Sequence, residues 1–351
     1  MNINDIIKEY SLDTQHTNAL KIEGLDRSTH VFKVAKKGLP KELYIIDTPA
    51  GRSISMHPHI VGKNLDKLAF SAAIEAAKAI RLLVLNDKES GGCKLVFENV
   101  LRAAPGYKLL PALRRALPHT DIRETFIRPK YVMASYRNHR RRVLKAVYKD
   151  FSMLPRKSKL ILIKPDTEAT GVSGKLAIES AIIESKKRDS KITDIILYGF
   201  ISISALKLLK EVSANHGIKL HAFSIENVTE LAFNNYDMTV YGIDESYFSK
   251  YKKKRKLRSI IDKTTLQKYL PWFIPGCDQP GDWSSRQSLL FTGRGYEKGD
   301  IKKHLIRSAK FIENLREISS YEVWQKNIAT KELKKIKSIL SRLNKNKKLS
   351  N

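Results

Sequence analysis

The sequence predicts an α/β protein: an open, mostly parallel, twisted sheet with helices on both faces, followed by a basic helical C-terminal extension. Three observations predict it. Between Lys94 and Ser224 short apolar runs alternate with segments whose apolar residues recur at helical spacing, the pattern of strand–helix–strand units. One run, Lys159 to Lys164 (KLILIK), is apolar almost without interruption, as a strand covered on both faces must be. Beyond Gly295 the chain reads as two helices rich in Lys and Arg.

The elements follow in order. Residues 1–90 form an N-terminal segment with a short strand, Glu42 to Asp47, and a strong helix from about Leu65 to Leu85, whose Ala and Leu favour helix intrinsically. Residues 91–293 form the core. Lys94 to Leu101 (KLVFENVL) is a strand, and Lys108 to Leu117 a short basic helix that tolerates Pro111 only in its first turn. Thr125 to Ser135 is a β-rich run. After the Lys159–Lys164 strand come a helix from Ser173 to Lys187, a strand from Ile192 to Phe200 and a helix from Ser204 to Asn215. His216-Gly217 stops that helix. Ile218 to Ser224 and Asp237 to Ile243 are further strands. Residues 294–351 form the basic tail, with helices Ile301–Ile318 and Tyr321–Leu343, and the Asn-Lys-Asn-Lys-Lys that follows is expected to fray.

Composition narrows the partners. The chain has 351 residues, 42% hydrophobic and 29% charged, enough apolar material for a sizeable core. Its formal net charge of +29 is more than a small metabolic substrate requires and suits a protein that works against phosphate. The most apolar stretch, Ile195 to Leu209, is too short and too interrupted to span a membrane, and the N-terminus lacks a signal-peptide pattern. Two cysteines, Cys93 and Cys277, read as reduced thiols, so a cytoplasmic location is expected.

The chemistry centres on Lys159 to Ser173, KLILIKPDTEATGVS. A buried strand runs into a loop containing Gly171 and then into a helix. Such a loop lets backbone N–H groups approach a phosphate, and the helix adds its positive end. Thr170 and Ser173 offer hydroxyl donors, and Asp166 and Glu168 offer acceptors for ribose hydroxyls. The competing reading is an ordinary strand-to-helix turn.

The stretch resembles the PRPP-binding signature of the type I phosphoribosyltransferases, specifically the uracil enzyme's D-P-M-L-A-T-G-G-S. Other landmarks of that family stand in the right order. Val100-Leu101-Arg102-Ala103 looks like I-L-R-A-G, and Tyr136-Arg137-Asn138 looks like the Y-R-N/D that opens a mobile loop. Tyr241 to Glu245 resembles I-D-[EQ], and Phe273-Ile274-Pro275-Gly276 with Gly281-Asp282 looks like Y-I-[IV]-P-G-L-G-D-A-G-D. The resemblance spans about 94 to 293, with basic insertions at about 104–136 and 246–270. It implies a type I phosphoribosyltransferase fold, with a small hood to which the Glu42 to Asp47 strand would belong, that binds PRPP with Mg²⁺ and transfers ribose 5-phosphate to a base nitrogen, releasing pyrophosphate.

Carried over residue by residue, Arg102, Arg137 and Asp166 become the catalytic set. Arg102 and Arg137 would meet pyrophosphate, for which guanidinium forks are suited. Asp166, Thr167, Glu168, Ala169, Thr170, Gly171, Val172 and Ser173 would hold ribose and 5-phosphate. Phe273, Ile274, Gly276, Asp278, Gln279 and Asp282 would serve the base. The pattern also departs from the family. Pro165 stands where the uracil enzyme has Asp, Val172 where it has a second Gly, Gln279 where it has Asp, and Trp283 where it has a basic residue. The phosphate half is thus better kept than the base half.

Two dense basic clusters suggest a second partner. Arg140, Arg141 and Arg142 follow Arg137. Lys252, Lys253, Lys254, Arg255, Lys256 and Arg258 follow Tyr247, Phe248 and Tyr251, which are aromatics suited to stacking on unpaired bases. RNA or single-stranded DNA is the expected polyanion. The alternative to an enzyme is therefore a catalytically lapsed module that binds nucleic acid, in the manner of the phosphoribosyltransferase-like effectors beside reverse transcriptases in bacterial retron antiphage systems. A homo-oligomer or a reverse-transcriptase complex is the assembly that these settings imply. A degenerate regulatory subunit fits the charge least. His57 and His59 form H-x-H beside Met56, and with no acid or cysteine near in sequence they are read as loop residues, with no metal site assigned.

Overall fold

A computed structural model of the chain describes all residues except 1, 87–91, 136–140, 240–243, 245–257, 273, 319–320 and 349–351. Nine strands build one sheet: β1 (Thr17–Leu20), β2 (His30–Val34), β3 (Glu42–Asp47), β4 (Lys94–Val100), β5 (Ile122–Met133), β6 (Arg142–Asp150), β7 (Lys159–Pro165), β8 (Lys191–Ser202) and β9 (Lys219–Thr229). Their spatial order is β1-β2-β3-β9-β8-β7-β4-β5-β6. The six central strands, β3 to β5 in that order, are parallel, and β1, β2 and β6 add antiparallel margins.

Strand alternation explains the layers. On β7, Ile161 and Ile163 face one core, while Leu160 and Leu162 face the other. The first core is closed by α3 (Gly62–Ile80) and α4 (Leu109–Ala116), through Ala73, Ala76, Ile80, Leu109 and Leu113. The second is closed by α5 (Val172–Lys186) and α6 (Ile203–Asn215), through Ile178, Ala181, Leu206 and Leu209. This is the open, mostly parallel α/β sheet expected from the alternation. The helix expected at about 65–85 begins at Gly62 and ends in a π-helical turn over Arg81–Leu85.

One difference has a physical cause, and two further segments bear on the expected strands. Glu42–Asp47, expected as the hood strand, is built into the main sheet, where it pairs in parallel with β9. Its run Leu43–Asp47 is buried on both faces, so it needs cover on both sides. The segment after Arg141 is the strand β6, which makes an outer hairpin with β5. Of the strand expected over Asp237–Ile243, 240–243 lie outside the described residues, and Thr239 makes an isolated bridge with Asp278.

The C-terminal extension is helical as expected: α9 (Ile301–Arg316) and α10 (Val323–Lys348) pack together through Leu305, Ile312, Leu315, Leu333 and Ile336. The helix α10 carries through the Asn-Lys run expected to fray. Smaller elements are α1 (Ile3–Tyr10), α2 (Pro49–Met56), α7 (Lys263–Tyr269), α8 (Trp283–Arg286) and the hairpin β10 (Leu289–Phe291)–β11 (Tyr296–Lys298). Among the described residues no helix is long and apolar enough to cross a membrane.

Candidate functional site

The strand order creates the site. From β4 the chain moves outward to β5, whereas from β7 it steps the other way, to β8 and β9. The carboxyl ends of β4 and β7 therefore flank the point where the connections diverge, which leaves a crevice in an open parallel sheet. A cavity of about 390 Å³ lies there, lined by residues that include Arg102, Arg128, Lys130, Asp166, Thr167 and Ser173.

The loop after β7 is laid along the end of β8. Asp166 N donates to Tyr198 O at 3.0 Å, Glu168 N to Phe200 O at 2.9 Å, and Ser202 N to Glu168 O at 2.9 Å. Gly199 permits this approach: a Cβ on it would lie 2.0 Å from the carbonyl oxygen of Asp166, and its φ is +147°. Gly171 then turns the chain at φ +80° and begins α5 with no side-chain cap. The positive end of α5 thus meets the crevice wall at Ser173 with its first amides uncapped by a side chain.

A buried ionic cluster lies beneath the loop. Lys164, at the end of β7, is fully buried, and its Nζ donates to Glu168 and to Asp166 Oδ2, the latter at 3.2 Å. Asp166 Oδ1 accepts from the N–H of Thr167 at 2.8 Å. Glu98 on β4 completes the group; its carboxylate is wholly buried, and among the described residues neither oxygen has a hydrogen-bond partner. Burial raises the Glu98 pKa to about 7, against the pull of Lys164. Burial also raises that of Asp166 to about 6, again against Lys164. Lys164 stays charged, because the carboxylates of Glu168 and Asp166 outweigh its desolvation.

Glu98 yields a pH-dependent prediction. Its folded pKa lies above its unfolded value, so it costs nothing below about pH 4.5, and its penalty grows as pH rises and is complete above about 7. Glu98→Gln is therefore expected to melt like the parent protein at pH 4.5 and to be more stable by up to about 3 kcal/mol at pH 8. Thermal melts across that range check it, and a gain that is largest at pH 4.5 refutes it.

The structure sorts the sequence-predicted residues. Arg102, Asp166, Thr167, Ala169, Ser173, Asp278 and Asp282 line the crevice. The Leu101–Arg102 peptide is cis. Arg102 Nη1 meets Glu297 Oε2 of β11 at 2.7 Å. Glu168, expected at a ribose, is turned under the loop, where Lys164 and Gly174 receive it. Thr170 and Val172 are exposed beside the wall. Ile274 packs against the C-terminal helices, and Gly276 follows it at φ +80°. Gln279 is buried, with both side-chain amide atoms unpartnered among the described residues, and its backbone N–H donates to Met238 O at 2.9 Å. Neither Ile274, Gly276 nor Gln279 lines the crevice, because the tail hairpin holds this segment from the far side. Asp278 accepts from Met238 N at 2.9 Å, and burial raises its pKa to about 8. Asp282 caps α8 by accepting from Ser285 N at 3.2 Å.

Sequence reasoning missed Arg128, Lys130, Tyr236, Met238 and the Trp283 side of the wall. Pro129 was the available signal. A proline inside a strand marks a bulge, and the register of β5 shifts between Arg128 and Pro129, which brings both flanking cations to the crevice. Trp283 stacks on Tyr107 with ring centroids 4.6 Å apart, and its buried Nε1 has no partner among the described residues.

Of the basic clusters, Arg141, Arg142 and Arg258 are described and exposed. Arg137, Arg140, Lys252, Lys253, Lys254, Arg255, Lys256 and Phe273 lie outside the described residues. The reading of His57 and His59 as loop residues without acidic company is corrected: Glu332 of α10 lies between them, His59 Nδ1 at 2.6 Å and His57 Nδ1 at 3.0 Å.

No protein-family model matches the chain, and no curated protein matches it. Solved structures similar to it include the adenine phosphoribosyltransferase of Leishmania donovani, at 14% identity and TM-score 0.33, over 54% of this chain and 86% of that one. The hypoxanthine-guanine phosphoribosyltransferase of L. donovani is similar at 13% identity and TM-score 0.33, over 58% and 94%. A hypothetical protein of Neisseria gonorrhoeae with bound ppGpp is similar at 13% identity and TM-score 0.31, over 43% and 80%. Likenesses of this size have no bearing on activity.

Proposed function

We propose that the crevice binds a ribose phosphate of the PRPP kind and that the protein is a phosphoribosyltransferase-like transferase acting on a base or base-like acceptor. One observation carries the reading: the uncapped start of α5 shares one crevice at the switch point with Arg102, Arg128 and Lys130. Amides at a helix start suit a terminal phosphate, and guanidiniums suit a diphosphate. In the reaction the acceptor nitrogen bonds to C1 of the ribose, the C1–O bond to pyrophosphate breaks, and the acceptor's proton leaves to solvent or base.

Mg²⁺ enters this reading as part of the substrate. Asp166 lines the crevice, with Lys164 on one of its oxygens and the Thr167 N–H on the other. The residues of the loop orient the sugar and phosphate, and Trp283 forms part of the wall on the acceptor side.

Glu297 stands in for an anion on Arg102. Arg102→Ala is expected to weaken PRPP by about 10- to 100-fold, the loss of a charge-assisted contact. Glu297→Gln is expected to tighten it a few-fold by freeing the guanidinium. Calorimetry with PRPP, with and without Mg²⁺, measures both. No binding to the parent protein at millimolar PRPP removes the reading.

A second reading, nucleic-acid binding, is favoured by the β5–β6 hairpin. One face of it exposes Arg142 and Lys149 beside Tyr131 and Met133, and Arg141 is exposed next to it. Here the protein is a lapsed module in an antiphage assembly of the retron type. Retention on immobilised single-stranded RNA or DNA that falls with salt supports it, and no retention in low salt sinks it.

A further inference from the structure

We propose that His57, His59 and Glu332 form a binding site for a zinc-class divalent ion that fastens the C-terminal hairpin to the body of the protein. The site is independent of the crevice and of any activity assigned to it.

The two imidazoles come from the loop between α2 and α3, and the carboxylate comes from α10, 273 residues further along the chain than His59. Both rings turn Nδ1 toward the same carboxylate. His59 Nδ1 is 2.6 Å from Oε1, and His57 Nδ1 is 3.0 Å from Oε2. The donor atoms of all three residues lie within 4.8 Å of one another. The side chains of His57, His59 and Glu332 are only 14%, 17% and 3% exposed. Two nitrogens and one carboxylate oxygen form a borderline donor set of the kind zinc takes in three-ligand sites. With bonds of about 2.0–2.1 Å, a tetrahedral ion separates its ligands by roughly 3.3 Å. The observed pairs need to part by less than about 1 Å to admit it.

The surroundings hold the loop that carries the two imidazoles. The loop is fixed from below by the buried guanidinium of Arg286. It donates to the carbonyls of Ile54 at 3.0 Å, His57 at 3.2 Å and Ile60 at 3.1 Å. His304 Nε2 lies 2.9 Å from Pro58 O between the two ligands. Glu332 is tied further by the N–H of His59 at 3.2 Å. A cavity of about 190 Å³ opens beside His57 and Glu332, and Lys331 and Lys335 line it. That leaves a fourth position facing two cations, suited to hydroxide or another anionic ligand. The competing account is a plain histidine–carboxylate ion pair with no metal affinity.

The test uses the full chain, free of any histidine tag and stripped with chelator. Elemental analysis after dialysis against ZnCl₂ is expected to give one equivalent. Co²⁺ is expected to give visible ligand-field absorption of tetrahedral type, displaced by Zn²⁺. His59→Ala and Glu332→Gln are each expected to cut Zn²⁺ affinity at least about 100-fold in calorimetry, as losing a ligand costs no less than losing an outer partner. They are also expected to abolish the rise in melting temperature that Zn²⁺ gives the parent protein. Binding well below one equivalent, or cobalt spectra unchanged in the variants, overturns the site. Should a variant fail to fold, the parent protein's stoichiometry and cobalt spectrum still decide.

Discussion

Lys164→Met is expected to destabilise the protein by about 3–5 kcal/mol, the cost of removing one partner from a buried ion cluster. Methionine fills much the same volume, so the loss is one of charge and not of packing. Without the ammonium, the buried carboxylates of Asp166, Glu168 and Glu98 are left to repel one another. The pull of Lys164 that holds the Glu98 and Asp166 pKa values down is lost, so both rise further above the unfolded values, and the deficit is small near pH 4.5 and grows toward pH 8. Urea denaturation at both pH values measures it. The double variant Lys164→Met/Glu168→Gln is expected to recover part of the loss, because fewer uncompensated charges remain. A single variant as stable as its parent at pH 8 would show that the cluster is solvated.

Gly199→Ala carries the second large effect, about 3 kcal/mol or more, with ligand affinity lost beyond what unfolding explains. The new Cβ would stand 2.0 Å from a backbone oxygen, at a φ of +147° that L-residues rarely adopt. The backbone on either side is pinned. Tyr198 O and Phe200 O accept from Asp166 N and Glu168 N, so any shift of β8 drags the loop that faces the ligand. Gly217→Ala is the control. That glycine also has a positive φ, +65°, but nothing lies within 4 Å of its Cβ position, and a cost of about 1 kcal/mol is expected. Denaturation of both variants, with calorimetry on whichever folds, separates the clash from the dihedral cost. Equal losses in the two would refute the close approach.

The contrast between these two glycines shows how far the chain could be read unaided. Gly217 announces itself as a helix stop by its place after an amphipathic run. Gly199 lies inside an apolar strand, and nothing in its neighbours tells that another segment's carbonyl will rest against it. Lys164 is similar. In KLILIKPD it reads as the polar end of a strand, and its burial follows only from the acids that the loop and β4 deliver. Glu168 was assigned to a ribose because its spacing places it in the loop; the buried cation turned it inward.

The alternation of apolar runs, the glycine-bearing loop before α5 and the helical tail were legible because each depends on residues near in sequence. Periodicity, propensity and turn chemistry act over a few residues and leave their mark there. The crevice is different. It needs β5 to bring Arg128 and Lys130 across a bulge, Trp283 to pack on Tyr107 from 176 residues away, and Glu297 to reach Arg102. The same holds for His57 and His59, whose carboxylate comes from the last helix. Strand order sets these meetings, and strand order arises from burying both faces of the sheet at once. That is a property of the whole folded chain, which no local pattern records.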